Sequence, residues 1–174
     1  RAYAEKIPFS CVTPDEFVND VDELIKKLNT LARNSIWPAT ALDQKTLFFG
    51  SFDCLRSCPD KNEFIKVKPE IGDIDVAVPE QSMQALHEVL VAHEEKQVTQ
   101  NFVYIGQNRA DFSGKKLNSV FMYKKCNKFL QIDFEGMKFI NDRPQPYVKF
   151  MRSSPWVDLK EGLKGLSHKY LLVC

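Results

Sequence analysis

From Gly72 to Pro79 the chain reads Gly-Asp-Ile-Asp-Val-Ala-Val-Pro. Residues two apart in a strand face the same side. The stretch therefore predicts a strand with Ile74, Val76 and Val78 turned to a core and closed by Pro79. Asp73 and Asp75 then project together on the opposite side. Ionising two neighbouring carboxylates is costly unless a cation stands between them. Oxygen ligands suit Mg²⁺ or Mn²⁺. A solvent-facing strand end carrying two incidental aspartates would give the same pattern.

The elements around this strand set the fold class. Thr13-Pro14-Asp15-Glu16 is a helix start: Thr13 caps, Pro14 fits the first turn and Glu16 completes a capping box. Phe17, Val21, Leu24, Leu28 and Leu31 repeat at helical spacing, predicting a helix over Pro14–Arg33 that Asn34 and Trp37-Pro38 end. Thr46–Phe49 reads as a short buried strand stopped by Gly50-Ser51. Met83, Leu86, Val89 and Leu90 mark an amphipathic helix between Glu80 and Lys96. Further strands are expected at Phe102–Ile105, at Val120–Lys125 and Phe129–Phe134 around a Cys126-Asn127-Lys128 turn, and at Met137–Ile140. Pro144, Pro146 and Pro155 break the pattern, and Asp158–Leu172 reads as helical. The order predicts an α+β fold: a mixed β-sheet with helices packed on one face.

Composition excludes several classes. The 174 residues suit one domain, and 27% charged with 44% hydrophobic residues is the balance of a globular chain. No apolar run reaches the ~20 residues of a membrane helix. Five cysteines at irregular spacing are poor material for a disulfide framework and predict free thiols in a reducing, intracellular compartment. Arg1 at the start and the apolar ending Leu171–Cys174 suggest an excerpt from a longer chain. The net charge of +1 hides an asymmetry. Residues 1–100 hold 11 basic and 17 acidic side chains, and residues 101–174 hold 13 and 6. A basic C-terminal part suits a polyanion, or is simply a solvated face.

Two further pieces bear on chemistry. Asp133 lies between apolar Ile132 and Phe134 in an expected buried strand, where a lone carboxylate is expensive unless paired or metal-bound. Gly50-Ser51 ends a strand, where the backbone can approach a phosphate and the hydroxyl can add a hydrogen bond. An apolar strand, Gly50-Ser51, then Asp73-Ile74-Asp75 and a later strand with Asp133 resembles the nucleotidyltransferase superfamily of polymerase beta. The resemblance covers roughly residues 14–140, and residues 141–174 would form a Pro-rich connection and the start of a helical segment.

It implies a metal-dependent enzyme that moves a nucleoside monophosphate from a nucleoside triphosphate, ATP first among them, to a hydroxyl and releases pyrophosphate. Asp73, Asp75 and Asp133 would hold the metals, Mg²⁺ or Mn²⁺. Gly50 and Ser51 would hold the β,γ-phosphates. Apart from the resemblance, Lys164, His168 and Lys169 lie at helical spacing and could contact those phosphates or the acceptor, or form a basic face at a helix end. In one respect the chain departs from the compact members: 21 residues separate Ser51 from Asp73. Residues 53–70 must contain an insertion, with Phe64–Val67 as an extra strand.

Lys115, Lys116, Lys124, Lys125 and Lys128 surround the expected hairpin and could follow an RNA backbone, or form a solvated strand edge that deters aggregation. Cys54-x-x-x-Cys58 lacks the second ligand pair of a zinc site, and no Gly-x-Ser-x-Gly elbow occurs. Two rivals stand beside the transferase: the same fold without activity, serving as an RNA-binding or interaction module, and a metal-dependent phosphohydrolase.

Overall fold

Thr13 opens the first long helix as expected. In this computed structural model its side chain accepts the Glu16 N–H at 3.2 Å, and helix α1 runs Pro14–Arg33 to Asn34. The structure describes residues 4–34, 46–108, 116–140, 143–145, 156–158 and 164–166. Phe17, Val21, Leu24 and Leu28 on α1 are buried in the core. Each contributes roughly 1.5–3 kcal/mol by leaving water. Phe17 meets Phe9, Phe52 and Tyr123 edge-on, so Phe17→Ala would open the centre of this packing.

After the two-residue strand β1 (Ile7–Pro8) and α1, the order is β2 (Leu47–Phe49), α2 (Gly50–Ser57), α3 (Lys61–Val67) and β3 (Glu70–Ile71). Then come β4 (Ile74–Pro79), a 3-10 turn (Glu80–Ser82), α4 (Met83–Ala92), β5 (Phe102–Gln107), β6 (Lys116–Tyr123) and β7 (Lys128–Ile140). Short strands β8 (Arg143–Gln145), β9 (Trp156–Asp158) and β10 (Lys164–Leu166) complete the described residues. The main sheet is ordered β5-β6-β7-β4-β2-β10-β9, with β8 on β7, while β1 pairs with β3. It is mixed, because β4 and β7 run parallel while β2 runs antiparallel to β4. This is the expected α+β plan.

Strand alternation divides the sheet. Ile74, Val76 and Val78 of β4, Leu130, Ile132 and Phe134 of β7, and Leu117, Phe121 and Tyr123 of β6 join one core with the apolar sides of α1, α2 and α4. The helices cover that face. Residues of the other parity, Asp75, Gln131, Asp133, Glu135, Lys116 and Asn118 among them, turn away from it.

Three expectations are corrected. Phe64–Val67 is not an added strand but the end of α3, whose N-terminus Asp60 caps by accepting the Asn62 N–H at 3.0 Å. A capped N-terminus outweighs the weak β-preference of Phe, Ile and Val. Of the helix expected over Asp158–Leu172, the described residues are strand instead, and the others lie outside the described residues. Asp158 ends β9, and Lys164–Leu166 form β10, which adds in parallel to β2 with Lys164 opposite Leu47. Gly165 disfavours the helix, and the edge of β2 supplies the backbone partners that the helical spacing conceals. Cysteines 11 and 126, expected free, form a disulfide with Cα atoms 5.5 Å apart. It ties the segment before α1 to the β6–β7 turn, where Asn127 takes φ 51°. Cys54 and Cys58 are free thiols. No helix among the described residues is long and apolar enough to cross a membrane.

Candidate active site

Strands β4 and β7 bring the carboxylates together. Their parallel register sets Ile74 beside Ile132, Asp75 beside Asp133 and Val76 beside Phe134. Adjacent strands lie ~4.8 Å apart. Asp75 and Asp133 are therefore neighbours on the face away from the helices. Asp133 is buried at 5% exposure, Asp75 is half-buried, and Asp73 stands exposed just before β4.

On the other side of β4, Phe49 of β2 pairs with Asp75, which delivers Gly50 to the same carboxylate. Gly50 has φ +74°, and a Cβ there would stand 2.7 Å from the Asp75 Oδ2. Only glycine allows both this backbone and this approach. Gly50-Ser51 also opens helix α2, where a stopping turn was expected, and Phe49 provides no side-chain cap. Ser51 Oγ accepts a hydrogen bond from Lys68 Nζ at 3.1 Å.

The electrostatics single out Asp75. Burial pushes its carboxyl up to about 7, reinforced by Asp133, Glu135 and Asp73 and opposed by Lys116. Burial also raises Asp133, against the hydrogen bond from Gln131 and helped by Asp73 and Glu135. Gln131 Nε2 donates to Asp133 Oδ1 at 2.9 Å, and Asn108 Nδ2 donates to Gln131 Oε1 at 2.7 Å. Lys116 pairs with Glu135 at 3.4 Å.

Among the described residues no three His, Cys, Asp or Glu side chains are already arranged to hold a metal ion. The donor set nonetheless fits a hard divalent cation. It consists of carboxylate oxygens on adjacent strands, with Asp133 near enough to raise the Asp75 carboxyl and Gly50 packed directly against that carboxylate. Asp73, exposed just before β4, is an electrostatic neighbour of both and the third carboxylate of the set.

The lysines expected near phosphates or nucleic acid do not form one group. Lys116 sits on the carboxylate face. Lys125 binds Asp20 at 2.9 Å and Glu16 at 3.4 Å, Lys128 lies 3.8 Å from Glu5, and Lys124 is exposed at the turn. Lys164 lies in β10 rather than on a helix, and Lys115 and Lys169 fall outside the described residues.

Sequence reasoning missed Gln131, Asn108 and Lys68. Gln131 was findable, since it stands two residues before Asp133 in the same strand. Asn108 and Lys68 reach the site only through tertiary structure.

No family model and no curated protein matches this chain. It is similar to two solved structures, each provisionally named a nucleotidyltransferase. One, from H. pylori, is 7% identical with a TM-score of 0.41, over 91% of this chain and 57% of that one. The other, from Thermotoga maritima, is 12% identical with a TM-score of 0.40, over 91% of this chain and 82% of that one. The chain thus spans little more than half of the H. pylori protein's length.

Proposed function

We propose that this chain is a metal-dependent nucleotidyltransferase domain, transferring a nucleoside monophosphate from a nucleoside triphosphate such as ATP to a hydroxyl acceptor. The observation that carries the reading is the in-register Asp75–Asp133 pair with Gly50 against the Asp75 carboxylate. Mg²⁺ or Mn²⁺, held by Asp73, Asp75 and Asp133, would neutralise clustered negative charge and polarise the α-phosphate.

The residues then take separate tasks. Gly50 and Ser51 bind the distal phosphates and aim the α-phosphorus at the carboxylate face. Asp133, oriented by Gln131, accepts the proton of the acceptor hydroxyl as its oxygen attacks. A new oxygen–phosphorus bond forms, the bond to the bridging oxygen breaks, and pyrophosphate leaves with that electron pair. Most of the acceleration comes from positioning and charge neutralisation.

RNA is one acceptor this reading admits, and its support is the basic C-terminal part. Ion pairs already engage Lys116, Lys125 and Lys128, which lessens the charge available to a polynucleotide. The reading goes with an intracellular supply of triphosphates, where a bond such as Cys11–Cys126 is uncommon. An inactive binding module is the second reading, favoured by Asp73 standing exposed before β4, outside the in-register pair. Labelled triphosphates, Mg²⁺ or Mn²⁺ and a panel of RNA, protein and small-molecule acceptors decide between them. Transfer or pyrophosphate release supports the enzyme, and none with any acceptor or metal overturns it.

A further inference from the structure

The segment between Ser51 and Asp73 departs from the compact pattern, and its structure gives it a use. Its residues form α3, end that helix at Lys68, and pass through Pro69 into β3. The Lys68 backbone is held on both sides. Its N–H donates to the Phe64 carbonyl at 2.9 Å, and the next carbonyl, Pro69, accepts the Phe9 N–H at 3.0 Å. From this anchored position the Lys68 ammonium reaches Ser51 Oγ at 3.1 Å.

The segment's other cations are already engaged. Arg56 makes two hydrogen bonds to Asp22, at 2.9 and 3.0 Å, and lies over the Phe48 ring. Lys61 binds the Arg56 and Cys58 carbonyls and sits 4.0 Å from Asp15. Lys66 pairs with Glu63 at 2.9 Å. Among the described residues no carboxylate pairs with Lys68, which meets a neutral hydroxyl instead. An ammonium has three N–H donors and Ser51 takes one. Its charge and two donors are left for an anion beside Ser51, the residue next to the glycine that abuts Asp75.

We infer that Lys68 binds the terminal phosphates of the nucleotide together with Ser51. This inference rests on the transferase reading and extends it: the segment supplies a phosphate-binding cation that the Gly50-Ser51 strand end lacks. A charge-assisted contact to phosphate is stronger than a neutral one. Lys68 would therefore discriminate by phosphate count, favouring triphosphates over monophosphates.

Calorimetric titration with ATP and with AMP, both in Mg²⁺, tests it on the parent, Lys68→Ala and Lys68→Arg. Lys68→Ala should weaken ATP about tenfold and leave AMP nearly unchanged, and Lys68→Arg should retain most of the ATP affinity. Lys68 is exposed, so both variants should keep the parent's unfolding temperature. Equal ATP binding by Lys68→Ala and the parent, or an equal loss for ATP and AMP, overturns the inference while the transferase reading stands if the parent transfers nucleotide. A parent that binds no triphosphate overturns both.

Discussion

Two acids withdrawn from water lie on opposite faces of this sheet and are treated in opposite ways. Asp20, on α1, is 7% exposed and surrounded by donors. Tyr123 donates its hydroxyl at 2.6 Å, Asn101 its amide at 3.1 Å, and Lys125 its ammonium at 2.9 Å. Asp75 is more exposed, yet among the described residues no donor reaches its carboxylate, and its charged neighbours are chiefly other carboxylates. A buried charge with its partners is scaffold. One left among like charges is a standing cost, and a protein retains such a cost where a ligand relieves it.

If that contrast is right, the two acids dissociate under mutation. Asp75→Ala should lower nucleotidyl transfer by at least about 10²–10³-fold while the protein stays folded, because no hydrogen bond is lost. Transfer equal to the parent's would mean that the site lies elsewhere. Asp20→Ala should do the reverse. It strands a buried tyrosine hydroxyl and an amide, and leaves Lys125 with Glu16 alone, at a cost of ~2–4 kcal/mol. The unfolding temperature should fall by roughly 5–10 °C, with turnover of the remaining folded protein intact. A fall of only a degree or two in a calorimetric scan would show Asp20 to be dispensable.

Gln131 belongs to both worlds, a donor placed on the unsatisfied face. Gln131→Leu removes both the bond that Gln131 donates to Asp133 and the one it accepts from Asn108. Such supporting contacts are worth about 10–100-fold where they orient a metal ligand. We expect about a tenfold fall in kcat and a raised Mn²⁺ requirement, with the triphosphate KM nearly unchanged. A KM effect alone would make Gln131 a nucleotide contact instead.

The pH dependence sharpens the contrast further. Asp75 rises from an ordinary 3.8 to about 7 on folding, so the folded state favours its protonated form. Its contribution to stability is full below pH 3.8 and is lost as the pH climbs through 7. Without divalent metal the parent should melt lower at pH 8 than at pH 5.5, and Asp75→Asn should flatten that difference. Added Mg²⁺ should restore the parent at pH 8. Parallel profiles for parent and variant would remove Asp75 as the source.

The three aspartates were legible because strand alternation is local: Asp73-Ile74-Asp75 and Ile132-Asp133-Phe134 each state which side faces the core. That Asp75 and Asp133 stand side by side followed only from the resemblance, because the parallel register of β4 on β7 depends on packing between segments more than fifty residues apart. The same distance hid Cys11–Cys126, separated by 115 residues. Short elements misled in a different way. Phe64–Val67 has strand composition, and its helix was decided by Asp60 upstream. Lys164–Leu166 lies in a stretch whose sequence has helical spacing, and its strand was decided by the edge of β2.

The smallest effect concerns the lysines around the β6–β7 turn, where sequence counted charges and structure counts commitments. Each phosphate neutralised by a free lysine should add about 0.7–0.9 to the salt slope of polynucleotide binding. Five free lysines would give a steep slope. Lys125 and Lys128 are held by Asp20, Glu16 and Glu5, and Lys116 by Glu135, which leaves Lys124 as the cation of the described turn that no described carboxylate holds. Single-stranded RNA should therefore bind weakly through this face, with a slope change near one unit on Lys124→Ala and none on Lys128→Ala. Phosphate contacts position without reading bases, so different sequences should lose affinity equally. A slope of four or more that collapses on Lys125→Ala would mean that RNA displaces Asp20 from its ammonium. The satisfied acid would then be part of the binding surface, and the division between the two faces would fail.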